Sequence, residues 1–139
     1  MLESLTVAVP KSMMSRSDMK PDELAKFEKV TGIKNTRHFI VEDGPAYRHG
    51  TLSEFIKAAL DQVTIDVAEI EALLVVTQTP DRLSPCMAVE IAAHLGLPHN
   101  IPAIDMNHAC DGFIMGLWAG QKLSGKTLVI CADMLRPRS

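Results

Sequence analysis

HACDGFIMGLWAGQKLSGKTLVICAD, residues 108–133, decides the fold, because it can be cut in two ways. From Gly120 to Thr127 it reads G-x-x-x-x-G-K-T, the spacing of a loop whose backbone amides cradle phosphates. Such a loop needs a strand before it and a helix after it, so that amides and helix dipole meet at the anion. The residues here run in the opposite order. Phe113, Ile114, Leu117 and Trp118 recur at helical spacing ahead of the glycines, and TLVICAD (127–133) behind them is apolar and β-branched. The stretch therefore divides into a helix over about 110–123, a turn, and a strand over 127–133. Ser124-Gly125 is the expected helix C-cap, with Lys126 exposed at the negative end of the dipole. Forcing the reverse order leaves 12 residues after Thr127, too few for the Asp-bearing strand that such nucleotide sites also use. A P-loop nucleotide binder stays as the third of three readings.

Working outward, strands and helices alternate. ALLVVTQT (72–79) is a nearly continuous apolar run, as in strands covered on both faces of a parallel sheet. Ser84-Pro85 is expected to cap and start a helix that stops at Gly96, and IPAIDM (101–106) reads as the next strand. Upstream, TLSE (51–54) is a capping box opening a helix to about Val63. TRHFIV (36–41) alternates as a strand or hairpin arm, Pro21 opens a short helix after a polar stretch, and LTVAV (5–9) reads as the first strand. There is no repeat, low-complexity segment or linker. The expected fold class is α/β, a mostly parallel sheet with helices on both faces, in a single domain over residues 1–139.

Composition narrows the function. With 47% hydrophobic and 22% charged residues the chain can bury a core, which excludes disorder. A net charge of −3 without a Lys/Arg run gives no field for nucleic acid. An acidic residue at position 3 and a short apolar run argue against a signal peptide, and no apolar stretch reaches membrane-spanning length, so a cytoplasmic protein without a membrane partner is expected. Cys86, Cys110 and Cys131 are odd in number, which suits reduced thiols better than a disulfide framework.

Cys110 is the candidate nucleophile. It follows a strand and a short polar turn and lies at the start of a helix, where unpaired amides and the dipole favour a thiolate. The same amides could hold the oxyanion of an acyl-thioester adduct, and Gly112 would let a substrate approach the helix start. The competing reading is a small buried hydrophobe, the ordinary role of a free cysteine. The helix that follows is apolar all round from Phe113 to Ala119, with Gly116 and Gly120 as a small-residue stripe for close packing.

IPAIDMNHACDGFIMGL resembles the nucleophile segment of the ketoacyl-acyl-carrier-protein synthase III group of thiolase-like condensing enzymes, a strand ending D-[IV]-x-x-x-C-[SAG]-G-F that runs into the active-site helix. VTGIKNTRHF (30–39), ALLVVTQTPDRLSPCMAVEIAAHLGL (72–97) and LVICADML (128–135) resemble three further segments of that group, in the same order. The resemblance implies the N-terminal half of a thiolase-like fold and acyl transfer or Claisen condensation in fatty-acid or polyketide-type biosynthesis. Cys110 would be acylated by an acyl-coenzyme A or acyl-carrier-protein thioester, with no bound cofactor or metal. It also implies an acyl carrier protein as docking partner, and a homodimer or a complementing second half, with residues 79–85 toward the dimer partner. The family's catalytic His and Asn lie in a second half that this sequence does not reach, so the chain alone is expected to be inactive. A non-catalytic structural or dimerising role is the alternative, and an apolar face left open by a missing half predicts self-association.

This sequence departs from the family pattern at named positions. Asp111 stands where the family has a small residue, and is expected to point away from the thiol at the helix start. Lys26 and Val30 occupy the positions where acetyl-primed bacterial members carry Trp and Arg. His38, His49, His94 and His99 read as exposed or capping residues. His108 is close to Cys110 but outside the family's base geometry, and a metal site on His108-x-Cys110 lacks further ligands. Cys86 and Cys131 read as core residues on a helix and a strand. The segment Thr77–Pro85 is expected to shape the pocket.

Overall fold

A computed structural model describes residues 1–15 and 19–135, with backbone alone for Met14, Ser15, Asp43 and Tyr47. These residues gather into two compact units, one of Met1–Thr6 with the chain from Thr51 onward and one of Val7–Gly50. In the smaller unit β1 (Ser12–Ser15) pairs antiparallel with β2 (Asn35–His38), on either side of α1 (Pro21–Thr31) in the chain. Pro21 opens α1 as expected, and the left-handed Gly32 (φ 73°) closes it. β3 (Ile40–Asp43) and β4 (Ala46–His49) form a hairpin whose turn begins at Gly44, φ 65°.

Two strand expectations change here. LTVAV (5–9) forms no strand, and Leu5, Val7 and Val9 are exposed. A strand needs a neighbour to pair its amides, which propensity alone cannot supply, and the pairing falls to Ser12–Ser15 instead. TRHFIV divides at Phe39 between β2 and β3, whose partners differ. Part of the polar stretch before Pro21, residues 16–18, lies outside the described residues.

The larger unit carries the parallel sheet. α2 (Leu52–Leu60) opens on the expected capping box: the Glu54 amide donates to the Thr51 hydroxyl, and the Thr51 amide donates to the Glu54 carboxylate at 2.7 Å. After a 3₁₀ turn (Val67–Glu69) come β5 (Ile70–Val76), α3 (Met87–Leu95), β6 (Ala103–Met106), α4 (Gly112–Gly120) and β7 (Lys126–Cys131). The sheet order is β6-β5-β7, all parallel, with β5 buried throughout except Glu71. Its two-residue period sends Leu73 and Val75 to one face, into a core with Leu52, Ile56, Met87, Ala88 and Ile91 of α2 and α3. On the other face Val76 meets α4. The α/β class with helices on both faces of a parallel sheet is thus what forms.

Helix ends differ from the local reading at two places. α3 begins at Met87 rather than at Ser84-Pro85, because the Asp105 carboxylate on β6 accepts from the Met87 and Ala88 amides at 2.8 and 2.7 Å. Asp81 does the same for Leu52 and Ser53 at the start of α2. α4 ends at Gly120 with Gln121 as C-cap, so Ser124-Gly125 is a separate turn and Lys126 is already in β7. The Lys126 ammonium pairs with Glu69 and Glu3, and these two carboxylates hold it protonated above the usual lysine range. The order helix, turn, strand across Gly120–Thr127 leaves the phosphate-loop reading without its required geometry.

Candidate active site

α4 packs on the sheet through glycine. Gly112, Gly116 and Gly120 are its buried residues, and a Cβ on Gly116 would lie 2.7 Å from Val76 Cγ2 and 3.1 Å from Val129 Cγ1. With no side chains between, backbone meets sheet directly, and the bulky residues turn outward: Phe113, Ile114 and Trp118 are 42%, 62% and 56% exposed. The open apolar face read from the sequence is present.

This close seat places the start of α4 over the carboxyl ends of β5 and β7, the usual location of sites in open α/β sheets. A cleft of about 200 Å³ lies there. Val76, Thr77 and Gln78 line it from the end of β5, Cys131, Ala132 and Asp133 from the end of β7, and His108, Ala109, Cys110, Gly112 and Phe113 from the approach to α4. Cys110 is exposed in the turn just before the helix, with Asp111 as N-cap, so it is not the buried hydrophobe of the competing reading. A larger hollow, about 310 Å³, follows Glu23, Lys26, Phe27, Val30 and Thr31 along α1 and contains none of the expected site residues beyond Lys26 and Val30.

Asp133 organises the cleft wall. Its carboxylate accepts from the Thr77 and Thr79 hydroxyls at 3.0 and 3.1 Å and from the Gln78 amide and side chain at 2.8 and 3.1 Å. Burial alone would raise this carboxyl, but the bonds from Gln78, Thr77 and Thr79 outweigh it and hold Asp133 below the usual range. A carboxyl lowered by folding contributes stability above its unfolded pKa of about 3.9, and that contribution is lost as pH falls through the folded value. The stability difference between wild type and Asp133→Asn in urea is accordingly expected to be constant from pH 7 to 5 and to shrink toward pH 3. An unchanged difference at pH 3 would show that the charge is not what holds residues 77–79.

Cys131 is not a core residue. It is exposed at the end of β7, yet its Sγ faces the glycine side of α4, and burial there, with the Asp133 charge second, pushes the thiol up. Cys86 is half-buried against the α2/α3 core, as N-cap of α3 rather than within it. Asp111 points neither into the helix amides nor into solvent alone: its Oδ1 is 2.8 Å from His108 Nδ1, and chiefly this bond lowers its carboxyl. His94 pairs with Asp61 at 2.8 Å, and His38 lies near His49 in the smaller unit. Among the described residues no three His, Cys, Asp or Glu side chains are placed to hold a metal ion, and no helix is long and apolar enough to cross a membrane. The Asp133 network and the His108–Asp111 pair were not foreseen. T-x-T followed by a distant strand-end Asp, and H-x-x-D before a helix, are the sequence traces they leave.

A parallel α/β sheet with a glycine-seated helix and a cysteine at its start over the strand ends is the arrangement with which this chain superposes on solved condensing enzymes. No family model matches the chain. It is 34% identical over 116 residues to a putative 3-oxoacyl-[acyl-carrier-protein] synthase 3 of Campylobacter jejuni, covering 81% of this chain and 32% of that protein. To the beta-ketoacyl-[acyl-carrier-protein] synthase III of Sinorhizobium medicae it is 31% identical over 135 residues, covering 91% and 40%. The solved 3-oxoacyl-[acyl-carrier-protein] synthase III of Aquifex aeolicus superposes with a TM-score of 0.60 at 27% identity, over 90% of this chain and 42% of that one. A tetronic acid condensing enzyme shares the fold with a TM-score of 0.71 at 23% identity, over 91% and 41%. Within the thiolase-like class, the chain is a relative of the beta-ketoacyl-[acyl-carrier-protein] synthase III group. It spans about a third of the length of the curated relatives it matches.

Proposed function

We propose that this chain carries the acyl-accepting cysteine of a synthase III-type condensing enzyme in fatty-acid or polyketide-type biosynthesis. Cys110 attacks the carbonyl of an acyl thioester of coenzyme A or a carrier protein. The donor's thiolate leaves with the proton, and the acyl group is held on Sγ for a carbanion or another acceptor. The supporting observation is the position of Cys110: exposed in a cleft at the carboxyl ends of β5 and β7, directly before α4 and so at the positive end of its dipole. Condensation itself would draw on a His and an Asn that the resemblance does not match to any of these residues, and acylation is the half-reaction that these residues support by themselves. A second reading, a structural or dimerising role, is favoured by the exposed Phe113, Ile114 and Trp118, which a second copy or a complementing chain would cover.

The test is acylation by a short acyl-coenzyme A, followed by intact mass and peptide mapping. A single acyl adduct on Cys110, absent in Cys110→Ser, is the expected result. No adduct on Cys110, or equal adducts on all three cysteines, would leave the structural reading in its place.

A further inference from the structure

The floor of the cleft is made by two side chains from neighbouring strands. Val76 of β5 and Cys131 of β7 are partners in the parallel register, so both side chains leave the sheet on the same face. α4 meets that face through glycine. A Cβ on Gly112 would lie 2.8 Å from Val76 Cγ1, and one on Gly116 2.7 Å from Val76 Cγ2 and 3.7 Å from Cys131 Sγ. Val76 is buried beneath the helix, whereas Cys131 is exposed, so of the two it is Cys131 that meets the open space of the cleft, which Cys110 also lines. Burial, with the Asp133 charge second, pushes the Cys131 thiol up, so it stays protonated at neutral pH and presents an uncharged, polarizable wall. The rest of the strand-end wall is polar and engaged, since Thr77 and Gln78 donate to Asp133. In a cleft of about 200 Å³ even one methylene more or less in the wall changes what fits.

We infer that Cys131 is a specificity-determining residue of this cleft, and that the size of its side chain limits the acyl group that Cys110 can carry. This rests on the acyl-accepting role proposed above for Cys110. Cys131 takes no part in the covalent step. It is a wall against which the apolar end of the acyl group packs. A smaller residue here deepens the cleft beneath the Gly116 turn of α4. A larger one extends into the cleft, because the glycine side of the helix is already at contact distance from Sγ.

The test treats the full chain with acetyl-, butanoyl- and hexanoyl-coenzyme A and, in parallel, with N-methyl-, N-butyl- and N-hexylmaleimide, reading the Cys110 adduct by peptide mapping. Cys131→Ser, close in size and without a second reactive thiol in the cleft, is the reference. Against it, Cys131→Leu is expected to lower the ratio of hexanoyl to acetyl transfer on the order of tenfold, the lower end of what one methylene is worth in an apolar pocket. Cys131→Ala should raise the same ratio, and the maleimide series should move in step. Equal ratios in all three variants overturn the inference, as does a loss of acetyl and hexanoyl transfer in equal proportion in Cys131→Leu, which reports a disturbed cleft. Should Cys131→Leu fail to fold, Cys131→Ala decides by the same ratio. The maleimides separate the two proposals. A maleimide ratio that follows residue 131 without acylation by any thioester keeps the wall and ends the acyl-transfer reading. Acylation of Cys110 with chain-length ratios independent of residue 131 does the reverse.

Discussion

Gly116→Val is expected to destabilise the protein by about 3 kcal/mol, the upper part of the range for overpacking a close-packed interface. The cause is geometric. A bare Cβ at this position would stand 2.7 Å from Val76 Cγ2 and 3.1 Å from Val129 Cγ1, and valine adds two methyl groups to that clash. Neither neighbour can swing clear, since both are short β-branched side chains of the sheet. Gly116→Ala separates the opposing effects: alanine gains about 1 kcal/mol of helix propensity over glycine, yet the Cβ contact alone should turn the balance to a net loss. Ile114→Ala, on the exposed side of the same helix, should stay within roughly 0.5 kcal/mol of wild type. Urea midpoints measure all three. Because α4 carries the turn holding Cys110, Gly116→Val should also abolish selective acylation of Cys110. A stable Gly116→Val protein would mean that α4 does not sit against the sheet through its glycines.

Leu73→Ala should lose about 3–4 kcal/mol, within the range for deleting a fully buried leucine. Leu73 has no exposed surface and lies on the central strand β5, between β6 and β7, facing the core built with Met87, Ile91 and Leu52. Neighbours held by two ladders of backbone hydrogen bonds cannot collapse far into the space, so the cavity persists. The expected signature is a lower midpoint in urea at unchanged slope. Leu73→Met, which nearly conserves volume, should recover most of the loss. A loss below roughly 1 kcal/mol in Leu73→Ala would mean that this core is loosely packed.

How much was legible in the sequence followed the range of each signal. β5 could be read from its unbroken apolar run, α2 from Thr51 and Glu54, the end of α3 from Gly96, and the division of residues 108–133 from the change of hydrophobic period, because each signal is carried within one or two helical turns of chain. The strand expected over 5–9 did not form, and the one over 36–41 divided, since a strand exists only where another edge pairs with it. The start of α3 moved for a related reason, its cap being a carboxylate 18 and 17 residues farther along the chain on β6.

The site divides in the same way. The sequence by itself determined that Cys110 precedes an apolar, glycine-striped helix after a strand, which was enough to single out the thiol and to set aside the phosphate loop. Tertiary structure alone decided that Cys131 stands in the cleft, that Asp133 reaches back about 55 residues to Thr77, Gln78 and Thr79, and that Asp111 turns to His108. The physical reason is that periodicity and capping are properties of neighbours in sequence. A cleft at the ends of parallel strands is made by residues that meet only after the crossovers have folded.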